Sequence, residues 1–115
     1  MDSSQFKPKT LDQISDALDA VETARGKKGL TATDKSILQT ASLKLRSLER
    51  SVEATIQDEL VTSLSADTKS LQDLIAQINK SSKKLDKLAT VLEKTAKVVD
   101  AFVKIVVTAV GAGLL

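Results

Sequence analysis

Leu11, Ile14, Leu18 and Val21 recur at spacings of three and four, which places one apolar stripe on a helix over about residues 11–24. Thr10 stands before that stripe as an N-cap, with Gln13 three residues later in the capping-box position. The segment Arg25-Gly26-Lys27-Lys28-Gly29 ends the helix, because glycine leaves helical geometry at low cost. Residues 1–10 are polar, contain Pro8 and lack periodicity, so they read as a flexible leader to a single helical domain over 11–115.

A second stripe runs through Ile37, Leu38, Ala41, Leu45, Leu48, Val52 and Ile56 and predicts a helix over about 34–62, with Thr31 or Thr33 as its cap and Asp34 in its first turn. The apolar phase shifts across Ser63 to Thr68. This predicts a tight turn at 63–66, with Ser65 able to cap the next helix.

From about 67 to 110 a heptad frame holds. Position a reads Leu71, Ile78, Leu85, Leu92, Val99 and Val106, while d is weaker, interrupted by Ser81 and Thr95. From Val91 onward, position g turns apolar as well, through Val98 and Ile105, so the buried face widens toward the carboxyl end. The pattern predicts an all-α fold: a three-helix bundle built on a long antiparallel hairpin. A rival reading breaks the last helix at Asn79-Lys80-Ser81-Ser82, giving four helices.

Lengths separate these two readings. At 1.5 Å per residue an unbroken third helix is about 66 Å long against about 43 Å for the second, leaving some 20 Å of the most apolar helix uncovered. The break removes that overhang.

The apolar end, 98–115, holds eight large apolar side chains between Val98 and Val110. Leaving them in water forgoes roughly 12–24 kcal/mol, so something must cover them. Three fates are open: a core helix of the same chain, an association surface through Val98, Val99, Phe102, Val103, Ile105, Val106 and Val110, or membrane insertion. For the last, eighteen residues reach about 27 Å against a ~30 Å hydrocarbon layer, but Asp100 and Lys104 would each cost roughly 2.5–3.5 kcal/mol at its centre.

Composition narrows the chemistry. The chain has no Cys and no His, which removes the commonest transition-metal ligands and the usual neutral-pH proton carrier. Ser81, Ser82, Lys83 and Lys84 have the residue types of a Ser/Lys nucleophile pair but lie in an exposed Lys-rich stretch, without the desolvation such a pair needs. Carboxylates at helical spacing, Glu49 with Glu53 and Asp12 with Asp16 and Asp19, read as solvated faces, and Gly26 with Gly29 lacks the strand and spacing of a phosphate loop. No enzyme, cofactor, metal or small-molecule substrate is expected.

Net charge is +2, divided as −1 over residues 1–66 and +3 over 67–115. Lys80, Lys83, Lys84, Lys87, Lys94, Lys97 and Lys104 fall opposite the apolar seam as one basic stripe, suited to a solvated outer face or an anionic membrane surface. Sparse Arg and the lack of stacking aromatics argue against nucleic acid. The first residues lack a signal-peptide pattern, so a cytoplasmic protein is expected, with membrane association as an added option. The function expected is non-enzymatic association, with a second copy or a helical partner, through the seam and the apolar terminal helix. The alternative is a membrane-associating or membrane-permeabilising protein that inserts 98–115.

Overall fold

A computed structural model describes residues 6–54, 58–81 and 83–113. They form four helices: α1 (Phe6–Arg25), α2 (Ala32–Ala54), α3 (Asp58–Ser81) and α4 (Asp86–Gly111), with a 3-10 turn at Lys83–Leu85 before α4. Each helix packs on its two neighbours in a ring, α1 on α2, α2 on α3, α3 on α4, and α4 back on α1. Cross-helix bonds fix antiparallel pairing. Lys7 Nζ donates to the Glu53 carbonyl at 2.6 Å, Ser47 Oγ to Asp67 Oδ2 at 2.7 Å, and Gln72 Nε2 to Asp100 Oδ2 at 3.4 Å. The result is an up-down-up-down bundle.

The all-α prediction holds, but the long hairpin does not. The molecule's longest dimension is 51 Å, shorter than the roughly 66 Å that an unbroken helix over 67–110 would need. The break near 79–82 is present: α3 ends at Ser81, whose hydroxyl bonds back to the Gln77 carbonyl, and the 3-10 turn reverses the chain. Ile78 and Leu85 both stay buried across this turn, so the heptad frame survives the reversal.

The predicted turn at 63–66 is instead helix, in the interior of α3, and Ser65 caps nothing. Thr68 explains the apparent phase shift. It is 1% exposed and sits in line with Val61, Leu64 and Leu71, its hydroxyl donating to the Leu64 carbonyl at 2.9 Å. A threonine satisfied by its own helix can occupy a core position, and a hydrophobic count then sees a gap that packing does not. Thr95, the apparent flaw in position d, is likewise buried and bonds to the Val91 carbonyl at 2.9 Å. The predicted second helix, 34–62, is therefore divided between α2 and α3; Ile56 lies outside the described residues.

At the amino end, Thr10 does not cap α1 but lies inside it, buried. The helix starts at Phe6, so the leader is helical from there; residues 1–5 lie outside the described part. Pro8 argues against helix when read from sequence, yet it stands in the first turn, where a missing N–H breaks no intrahelical bond.

The α1–α2 turn closes through Gly29, whose φ of 80° is strained for any residue with a side chain. The Lys84 ammonium donates to the Gly29 carbonyl at 2.7 Å, tying this turn to the start of α4. Of the two candidate caps for α2, Thr31 serves. Its Oγ1 accepts from the Asp34 N–H at 3.0 Å while Asp34 Oδ2 accepts from the Thr31 N–H at 3.2 Å. Asp34 is only 4% exposed, so this reciprocal pair also satisfies a buried carboxylate. Thr31→Ala is expected to lower stability by about 1 kcal/mol, with Thr31→Ser close to wild type, as read from urea melts followed by circular dichroism.

The core is aliphatic, with Phe102 as its largest fully buried side chain. Ile14, Leu38, Leu45, Leu64, Leu71 and Leu92 fill it from all four helices. Among the described residues no buried side-chain polar atom lacks a partner.

Candidate association surface

The ring sorts the apolar residues of α4 into two groups. Val99, Phe102 and Val106 are between 0% and 2% exposed and face the middle of the bundle. Val98, Val103, Ile105 and Val110 are half-buried, and Val107 is 53% exposed. Val103 and Val110 pack against the core, as does Val91. Val98 and Ile105 follow Val91 at seven-residue intervals and so continue its row along the same flank of α4. Val91 lines a groove with Ala20 and Ala24 of α1, which places that flank beside α1.

Charge is divided between the two helices that border this flank. Asp12, Asp16, Asp19 and Glu22 are all exposed on α1, opposite its buried Ile14, Ala17 and Val21. On α4, Lys87, Lys94, Lys97 and Lys104 are exposed opposite Leu92, Val99 and Val106. The acids of α4 are partly engaged: Glu93 pairs with Lys97 at 3.7 Å and Asp100 accepts from Gln72. The middle of α1, residues 12–22, therefore presents acids beside an α4 that presents four lysines, with half-buried Val98 and Ile105 on the flank between the two helices.

The seven lysines do not form one stripe. Lys80 belongs to the end of α3, Lys83 and Lys84 to the 3-10 turn, and the other four to α4, with Lys87 in its first turn. The chain reversal gathers Lys80, Lys83, Lys84 and Lys87 at one end of the bundle and leaves Lys94, Lys97 and Lys104 along the side. Sequence reasoning missed what joins them there. The α1–α2 turn brings Lys27 and Lys28 to the same end, and Lys27 shares a groove with Lys84 and Lys87. Only the four-helix reading, which sets both turns at one end, could have exposed that grouping.

Ser81 and Lys84, described members of the Ser/Lys cluster, are engaged with backbone rather than with each other. The Ser81 hydroxyl is engaged with the Gln77 carbonyl and the Lys84 ammonium with that of Gly29. Ser82 lies outside the described residues. Glu49, with Arg46 and Arg50, lines a groove against Asp19 and Glu22, where opposite charges are interspersed. Among the described residues no group of three or more His, Cys, Asp or Glu could hold a metal ion. No helix, again among the described residues, is long and apolar enough to cross a membrane. Set against protein-family models, curated proteins and solved structures, the chain finds no match, so these surfaces are read from their own residues.

Proposed function

We propose that this chain is a non-enzymatic association module that pairs with a second copy of itself across the α1–α4 face. The observation that carries the reading is the acidic outer face of α1 beside the basic outer face of α4, with Val98 and Ile105 on the intervening flank. A two-fold axis through this face sets α1 of one copy on α4 of the other, so Asp12 and Asp16 oppose Lys94 twice. Charge complementarity of this kind fixes orientation and rejects like-charged alternatives, while the valine and isoleucine row supplies apolar contact. The buried seam, Val99, Phe102 and Val106, serves the fold, and association uses what α4 leaves on its surface.

Charge reversal tests the pairing. In sedimentation equilibrium the wild-type chain is expected to dimerise, with affinity falling as salt rises. A variant carrying Asp12 and Asp16→Lys, and another carrying Lys94→Glu, should each self-associate at least about tenfold more weakly, because each sets like charge on like. Mixed together, the two variants should form a heterodimer. A wild-type chain that stays monomeric at the highest soluble concentration, or variants that fail to pair when mixed, would refute the reading.

A further inference from the structure

We propose that the end of the bundle carrying the α1–α2 and α3–α4 turns docks onto an anionic phospholipid surface. Lys27, Lys28, Lys80, Lys83, Lys84 and Lys87 are all exposed there, contributed by two turns and the helix ends beside them. The acids at this end offset them weakly. Glu22 pairs with Arg25 at 3.3 Å, Asp34 is buried in its capping pair, and Asp86 remains in the first turn of α4. The chain as a whole carries only +2, so this end is far more positive than the rest. The Lys84 bond to Gly29 holds the two turns together, so the cations are presented as one surface.

The chemistry of the groove at this end selects the partner. Lys27, Lys84 and Lys87 border a floor of Ala20, Ala24, Leu85, Leu88 and Val91. Phosphate at the rim with carbon chains below is the arrangement of a lipid headgroup region, and each lysine near such a surface adds roughly fivefold to partitioning. Duplex nucleic acid offers phosphate without the apolar component, and no Phe, Tyr or Trp stands at this end to stack on a base: the chain's aromatics are Phe6 and Phe102, and Phe102 is in the core. Lysines on the blunt end of a rod orient the bundle upright on the membrane, attached at its surface. The groove's Ala20, Ala24 and Val91 border the proposed pairing face, but the six lysines of this end are not among the charges of that face, so charge variants read lipid binding and pairing separately.

The test is co-sedimentation of the full chain with vesicles of phosphatidylcholine alone or containing phosphatidylserine. Binding is expected only with phosphatidylserine, without release of an enclosed dye. Lys28, Lys83 and Lys87→Gln, which spares the Lys84 contact, should weaken it on the order of 100-fold. Circular dichroism of this variant should show unchanged helix content. Lys9, Lys44 and Lys69→Gln, the same loss of three charges placed away from this end, should bind within a fewfold of wild type. Absence of binding, equal loss in both variants, dye release on binding, or tighter binding to a duplex oligonucleotide than to the vesicles would each overturn the proposal.

Discussion

Phe102→Ala is expected to remove about 3–5 kcal/mol of stability, a large part of the ~5–15 kcal/mol that holds a domain of ordinary stability together. The ring sits at 2% exposure among side chains that cannot follow it inward, since Val99 and Val106 on the same helix are themselves fully packed. Truncation therefore leaves a cavity as well as losing transfer free energy. Adding Val99→Ser and Val106→Ser strips two more fully buried side chains from the same core and enlarges the cavity, and that triple variant should not fold. Val107→Ser on the same helix is the control: at 53% exposure it should stay within about 0.5 kcal/mol of wild type. Urea titration followed at the helical circular-dichroism band measures all three. A Phe102→Ala loss below about 1 kcal/mol would place the end of α4 outside the core.

Ala66→Pro separates the two architectures that the sequence allows. Ala66 is exposed, so the substitution changes backbone chemistry with little change in packing. In the interior of α3 the proline ring displaces an N–H that bonds one turn back and collides with the Thr62 carbonyl, at a cost of about 3 kcal/mol or more. Were residues 63–66 the tip of a hairpin, proline there would be close to neutral. Ala32→Pro supplies the comparison, because the first residue of α2 needs no donor and proline suits that position. Thermal melts of the two variants should differ by more than about ten degrees, given about 4–8 °C per kcal/mol for a domain near this size. Equal melting temperatures would restore the turn at 63–66.

Helix content and the apolar face carrying Val99, Phe102 and Val106 were legible because aliphatic periodicity reports them directly, but periodicity could not say that the chain's own core covers them and removes them from the expected association surface. The end of α1 at Arg25 was legible from glycine chemistry, and the cap of α2 was narrowed to Thr31 or Thr33 by threonine chemistry. What misled was threonine in the core. Thr68 and Thr95 satisfy their hydroxyls on carbonyls four residues back, which a scale of polarity cannot register. Pro8 misled in the opposite sense, as a helix breaker placed where it breaks nothing. The boundary between α2 and α3 falls where no Gly or Pro marks it, so only the need to match helix lengths in a packed ring places it there. The basic end was hidden for a related reason: Lys27 and Lys84 are distant in sequence and become neighbours only once both turns lie at one end.

The ring also has a kinetic consequence. Three of its four seams join consecutive helices, and closing them costs little chain entropy. The fourth, between α1 and α4, joins the two helices farthest apart in the chain, so its closure should come last in folding and its opening first in unfolding. A chain caught at that stage presents α4 with its valines bare beside an α1 that wants the same contact. Exchange of α4 between two copies would then re-form every native contact, and hydrogen exchange that is fastest in α1 and α4 would mark that seam as the weakest.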